Sequence, residues 1–114
     1  MSANFDSATF RKVLGHLPTG VVVVTGVDTS GEPAGITIGS FVSVSLDPPL
    51  VGFFPGLASR SWAQIAQGKG FCANVLTEDQ SELCWRFAQE PESGLATRFE
   101  GVKWTKSAMG MPIL

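Results

Sequence analysis

The sequence is poor in several residue types on which protein chemistry often depends: it has one histidine, two cysteines, no tyrosine and few charges. Eight Lys and Arg against ten Asp and Glu give a net charge of −2, and no basic run is available to bind nucleic acid or an anionic membrane. Cys72 and Cys84 lack the further ligands of a zinc site, and we favour two reduced, buried thiols over one disulfide. No signal peptide and no apolar segment of bilayer length is seen, which predicts a cytoplasmic protein.

Common catalytic and nucleotide-binding motifs are also missing. His16 has no nucleophile placed beside it by a known motif and no second metal ligand, so we expect it to have a structural role at the end of a helix. Neither G-x-G-x-x-G nor G-x-x-x-x-G-K-[ST] occurs. We therefore predict neither a catalytic side chain nor a metal site.

What is present is a pattern of strands separated by turns and short helices. The 114 residues, 44% of them apolar, fit one domain with a core of its own. Strands are predicted over residues 20–27, 35–46, 50–54 and 71–76, with another starting at 111–114. The first two form a hairpin, and the fold predicted from these elements is mainly β, a β-barrel with short helices.

Three helices are predicted between these strands. The first runs from about Ser7 to His16, with Asp6 or Ser7 as its cap and an apolar face. The second covers residues 59–66, and the third follows Thr77 or Asp79. The stretch from residue 90 to Phe99 is predicted to be a loop.

Small polar residues cluster at the ends of the predicted strands. The segment Thr37–Ser40 contains Gly39, which lets a planar ligand approach the backbone. Ser59–Ser61 begins a short helix, where free N–H groups, hydroxyls and a guanidinium can hold a phosphate. Asn74 interrupts an apolar strand and can offer its amide to a heterocycle. For each of these residues the alternative stays open that it caps a turn or faces solvent.

Several segments, read in order, resemble the flavin reductase-like domain, whose members have the FMN-binding split-barrel fold. The segments are FRKVLGHLPTGVVVVTG, GEPAGITIGSFVSVSLDPPLVGF, SRSWAQI, FCANVLTEDQSELCWRFA, RFEGVKW and GMPIL. The resemblance extends from about Phe10 to Leu114. It implies an NAD(P)H-dependent flavin reductase that uses NADH or NADPH and supplies reduced FMN or FAD to the oxygenase of a two-component system.

The resemblance also implies which residues bind the flavin. The family's T-x-x-S-F segment along the flavin corresponds to residues 37–41, but most relatives have Asn at the position of Gly39, which leaves only backbone there. The phosphate element corresponds to Ser59–Ser61, Ala73 and Asn74 flank the ring, and Phe99 covers part of the pocket unless it belongs to the core. The implied cofactor-binding residues are Thr37, Ile38, Gly39, Ser40, Ser59, Arg60, Ser61, Ala73, Asn74 and Phe99.

Relatives in this family continue beyond the element that corresponds to Gly110–Leu114, with closing strands and a G-D-H motif near the nicotinamide. We therefore expect residues 1–114 to be a single domain that is truncated at its C-terminus, and we expect a homodimer. Two alternatives stay open: a flavin-binding split barrel without reductase activity, and a non-enzymatic dimeric interaction module. The sequence is compatible with FMN or FAD as the flavin and with NADH or NADPH as the hydride donor.

Overall fold

A computed structural model describes residues 6–14, 20–92 and 94–114. The helices are α1 (Ser7–Leu14), α2 (Arg60–Ala66) and α3 (Ser81–Ala88), with short 3-10 helices at Glu78–Gln80 and Leu95–Phe99. The strands are β1 (Val22–Val27), β2 (Pro33–Ile38), β3 (Val42–Leu46), β4 (Pro49–Gly52), β5 (Cys72–Val75), β6 (Thr105–Lys106) and β7 (Pro112–Ile113). No helix in these ranges is both long and apolar enough to cross a membrane.

A three-stranded antiparallel sheet in the order β2-β1-β5 forms the centre of the molecule. The run of valines predicted as a strand is the middle strand, buried on both faces, because β-branched residues favour extended backbone and pack well in a sheet. The predicted hairpin of β1 and β2 is confirmed. Its turn is closed by Asp28, whose Oδ1 accepts hydrogen bonds from the backbone N–H groups of Ser30 and Glu32 at 2.8 and 3.0 Å.

The two faces of this sheet pack against different helices. One core cluster joins the sheet to α2 and contains Val22, Val24, Ala34, Ile38 and Ile65. The other joins it to α3 and contains Val23, Phe87 and Phe99. On that second face a Cβ at Gly35 would lie 2.8 Å from the ring of Phe87, so glycine is needed for α3 to approach the sheet this closely.

The predicted strand over residues 35–46 is wrong in one respect, since it is two strands. β2 ends at Ile38 and β3 begins at Val42, because the apolar–polar alternation slips where Phe41 and Val42 are adjacent. β3 then pairs with β4 in a separate sheet, with a register shift between Ser43 and Ser45. Among the described residues the sheets stay open, so the molecule is a mixed structure of helices and strands in which barrel closure is not seen.

The prediction for the first helix is confirmed at its start. The backbone N–H of Thr9 donates to Asp6 Oδ1 at 2.8 Å, which makes Asp6 the cap. Phe10 and Val13, which lie on the apolar face predicted for this helix, are exposed. The predicted end of this helix at about His16 lies outside the described residues, as does His16 itself.

Two smaller predictions need correction. The stretch before Phe99 is not all loop, because Gly94, at φ +67°, leads directly into the 3-10 helix Leu95–Phe99. Cys72 and Cys84 are free thiols as favoured, but both are only half-buried.

Candidate functional site

The start of α2 is the most strongly hydrogen-bonded of the predicted ligand-binding elements. Ser59, one of two serines that the sequence offers as the cap of this helix beside Ser61, is the cap: its Oγ accepts a hydrogen bond from the backbone N–H of Trp62 at 3.0 Å. The same hydroxyl donates to Oε1 of Glu90 at 2.9 Å. The backbone N–H groups of Arg60 and Ser61 also donate to the Glu90 carboxylate, at 3.2 and 2.9 Å. Ser59–Ser61 therefore does bind an anion, and that anion is a side chain of the same molecule.

The environment of Glu90 favours its charged form. Partial burial acts to raise its pKa, but the hydrogen bonds from the backbone of Ser61 and Arg60 and from the hydroxyl of Ser59 outweigh this and lower the pKa from 4.5 to about 2. The guanidinium Nε of Arg60 lies 3.7 Å from Glu90 Oε2, and its other nitrogens donate to the carbonyls of Pro91 and Glu92. Arg60 thus fastens the loop that carries Glu90 to the helix.

We expect Glu90→Gln to reduce the acid sensitivity of the folded protein. Since the pKa of Glu90 is lower in the folded state, the carboxylate stabilises the fold above pH 4.5, and this contribution is lost as the pH falls from 4.5 towards about 2. Urea unfolding at a series of pH values measures the free energy of unfolding. Across this window the wild-type protein should lose about 1 kcal/mol more of it than Glu90→Gln does. The difference stays this small because solvent screens a partly exposed group.

Glu92→Gln is the matched control, since Glu92 lies on the same loop with an exposed side chain. It should keep the wild-type slope. Equal slopes for Glu90→Gln and the wild-type protein would contradict the assigned pKa shift.

The residues predicted along the flavin ring leave only part of their surface available. Thr37 Oγ1 donates to the carbonyl of Cys84 at 2.7 Å on the α3 face, and Ile38 is packed in the core against α2. Ser40 Oγ accepts from the backbone N–H of Phe54 at 2.9 Å. Gly39, directly beyond the end of β2, is exposed. In this segment Gly39 is the exposed residue, while Thr37 and Ser40 are half-buried.

On β5 the two predicted residues point to opposite faces of the sheet. Asn74 turns inward: its Nδ2 donates to Val23 O at 3.0 Å and to Thr25 Oγ1 at 3.1 Å, and its Oδ1 accepts from Leu114 N at 3.0 Å. Its amide is thus used within the protein rather than offered to a heterocycle. Ala73, on the other face, is exposed, and a ring can reach it.

Phe99 is part of the core, the alternative that the sequence left open. Its ring packs against Phe87 with centroids 4.9 Å apart and against Trp104 at 5.7 Å. Its neighbour Arg98 is buried as well, and Arg98 Nη2 donates to Ser61 Oγ at 2.8 Å. Arg98 therefore supports the start of α2 from behind, whereas Phe99 belongs to the core cluster that joins the sheet to α3.

Two residues of this site, Glu90 and Arg98, were not predicted from the sequence. Glu90 lies in a stretch that reads as a polar loop, and Arg98 belongs to a residue type that is mostly exposed. No local pattern marks either residue, because their partners lie on distant segments. In the part of the chain that the structure describes, no three His, Cys, Asp or Glu side chains come together as metal ligands.

Comparison with known proteins identifies the class to which this arrangement belongs. The chain is 45% identical over 109 residues to a flavin reductase of Pseudomonas putida and 46% identical over 110 residues to the flavin-dependent monooxygenase reductase subunit HsaB of Rhodococcus jostii. Each comparison covers 96% of this chain, which spans 62% and 53% of the length of these relatives.

The fold is similar to that of a solved relative, the NADH:FAD oxidoreductase SgcE6 of Streptomyces globisporus. The TM-score is 0.83 at 33% sequence identity, covering 100% of this chain and 66% of SgcE6. SgcE6 has also been solved in complex with NAD and FAD fragments. The model of the family described as "Flavin reductase like domain" matches residues 14–114. The chain belongs to the flavin reductase-like domain family.

Proposed function

We propose that this protein is an NAD(P)H-dependent flavin reductase that supplies reduced FMN or FAD to the oxygenase of a two-component monooxygenase. The identity of 45–46% to two reductases, along 96% of the chain, carries the proposal. A flavin of this kind accepts a hydride from the nicotinamide, and the protein contributes binding and orientation. Because the cofactors carry out the hydride transfer, the protein needs groups that bind and orient them. The described part of the candidate site offers such groups, namely hydroxyls, amides and arginines.

The flavin ring is proposed to lie over the exposed backbone at Gly39, within the segment Thr37–Ser40, and over Ala73 on β5. Both positions are open, and a glycine and an alanine let a planar ring come close to the backbone. Thr37, Ile38, Ser40, Asn74 and Phe99 are proposed to shape this surface from behind, since their side chains have partners inside the protein.

The flavin phosphate is proposed to bind at Ser59–Ser61. The support is chemical: the backbone N–H groups and the Ser59 hydroxyl already hold an oxyanion, the carboxylate of Glu90. A phosphate needs the same donors, so it has to displace Glu90 as it binds. Arg60 would turn its charge to the incoming phosphate if its hydrogen bonds to the carbonyls of Pro91 and Glu92 were released as well.

Further assembly is part of the proposal. We propose that residues 1–114 belong to one split-barrel domain and that the protein acts as a cytoplasmic homodimer. The hairpin of β3 and β4 supports an additional covering layer, because its apolar residues are 48–90% exposed. These residues are Val42, Val44, Leu46, Leu50 and Val51. Free Cys72 and Cys84 agree with a reducing compartment.

The test is an anaerobic mixture of the full-length protein with FMN or FAD and NADH or NADPH. We expect catalytic loss of the yellow flavin absorbance at substoichiometric protein, and the rates with each pair identify the preferred cofactors. Flavin that binds with quenched fluorescence yet stays yellow would replace the proposal by a flavin-binding protein without reductase activity. Unchanged fluorescence with both flavins would refute flavin binding altogether.

A further inference from the structure

Arg98 is a buried cation whose hydrogen-bonding capacity is fully used. Arg98 belongs to the 3-10 helix Leu95–Phe99, and it is 6% exposed. Every N–H of the guanidinium has an acceptor at 2.8–3.2 Å: Leu95 O, Phe87 O, Gln89 O, Gly35 O and Ser61 Oγ.

These acceptors are neutral oxygens, which makes Arg98 an unusual choice for packing alone. Burial acts to lower the pKa of Arg98, and the nearby charge of Glu90 opposes this shift. Among the described residues Arg98 has no carboxylate as an ion-pair partner. Placing a cation here costs desolvation free energy, which an apolar side chain of similar size would avoid.

The two bonds of Nη2 show what the cation achieves. This single nitrogen donates to Gly35 O and to Ser61 Oγ, each at 2.8 Å. Gly35 lies on β2 two residues before Thr37, and Ser61 is in the first turn of α2. One nitrogen thus holds β2 and the start of α2 within two hydrogen-bond lengths of each other.

Ser61 extends this link to the anion. Its hydroxyl accepts from Arg98, while its backbone N–H donates to Glu90 Oε1 at 2.9 Å. Ser61 therefore lies between the buried cation and the bound carboxylate. The planar guanidinium of arginine suits this pair of hydrogen bonds, whereas the ammonium of lysine is a point charge without that geometry.

We propose that Arg98 is a positioning residue for flavin binding. Arg98 sets the spacing between two proposed flavin-binding segments: the ring segment Thr37–Ser40 at the end of β2 and the phosphate segment Ser59–Ser61 at the start of α2. The inference rests on the proposed function of those two segments. Arg98 itself touches no ligand. Because Arg98 already holds the two segments at a fixed spacing, a flavin can contact both at once without an entropic cost for ordering them.

The experiment compares Arg98→Lys and Arg98→Met with the control Arg86→Met in the full-length protein. Arg86 also donates to backbone carbonyls, those of Arg98 and Glu100, but contacts neither flavin segment. FMN binding is measured by fluorescence quenching, and turnover with NADH is measured as a function of FMN concentration. A fourth variant, Ser61→Ala, removes only the hydroxyl link and keeps the backbone N–H.

We expect Arg98→Lys to raise the Kd and the KM for FMN by about tenfold, the effect of losing one hydrogen bond to a charged group. The kcat at saturating FMN and the KM for NADH should stay unchanged, and Arg86→Met should bind FMN like the wild-type protein. Ser61→Ala should raise the Kd in the same direction, which settles the matter if the Arg98 variants do not fold.

Wild-type Kd values in both Arg98→Lys and Ser61→Ala would overturn the inference, and so would a wild-type Kd in Ser61→Ala if the Arg98 variants do not fold. A fall in kcat with an unchanged Kd would overturn it too, since that is the signature of a merely structural role. Failure of the proposed function is visible separately, because the wild-type protein would then bind neither FMN nor FAD.

Discussion

Replacing Phe87 by alanine is expected to lower the free energy of unfolding by about 4 kcal/mol, the usual cost of removing a buried aromatic ring. Phe87 is 1% exposed and packs edge-to-face on Phe99. It also lies against the bare backbone of Gly35 and under the guanidinium of Arg98, whose Cζ is 5.3 Å from the ring centroid. The variant therefore opens a cavity between the sheet and α3 and removes an interaction with a buried cation.

Trp85→Ala is the control, because Trp85 lies on the same helix and is 69% exposed. It should change the free energy of unfolding by less than about 0.5 kcal/mol, as surface substitutions usually do. Urea unfolding monitored by circular dichroism compares the two variants. A cost for Phe87→Ala as small as the cost expected for Trp85→Ala would mean that α3 does not pack on the sheet through Phe87.

Gly68→Ala should be the second most damaging substitution, at about 3 kcal/mol. Gly68 follows α2, and its backbone runs against the end of β1 so closely that a Cβ would lie 2.2 Å from the carbonyl oxygen of Val27. Since the obstacle is backbone, a rotamer change cannot relieve the clash. The end of α2 would have to move away from the sheet.

Gly56→Ala separates this clash from the general effect of adding a methyl group. A Cβ at Gly56 meets nothing within 4 Å, and its φ is not in the left-handed region. This control should be neutral or more stable by about 0.5 kcal/mol, because alanine restricts the unfolded chain. Thermal unfolding of both variants tests the pair, and equal melting temperatures would exclude the close approach at Gly68.

Local chemistry in the sequence predicts those parts of the fold that depend on neighbouring residues. The run from Val21 to Val24 predicts a buried strand, because β-branched residues act within one strand. The capping residues near 6–7 and 59–61 predict helix starts, and the structure selects Asp6 and Ser59 among them. The break between β2 and β3 was missed, although the alternation slips there. Periodicity over a short window does not separate one strand from two.

The family resemblance names segments whose role in flavin binding stays a prediction, and it does not give the direction of each side chain. Asn74 turns inward and Ile38 joins the core, because the face that each residue takes depends on its place in the sheet. Arg98 lies in the segment RFEGVKW of the resemblance, but no local pattern gives its role, since its acceptors come from β2, α2, α3 and its own 3-10 helix. A contact assembled from four segments exists only after folding.

The carboxylate held at Ser59–Ser61 has a consequence for ligand exchange. If flavin phosphate binds there, Glu90 is a tethered competitor that is present at a fixed local concentration. Free inorganic phosphate has no ring to add binding energy, so it would rarely displace the Glu90 carboxylate, whereas a flavin could. The same carboxylate would return to its donors as soon as the phosphate leaves, which would favour release of the flavin.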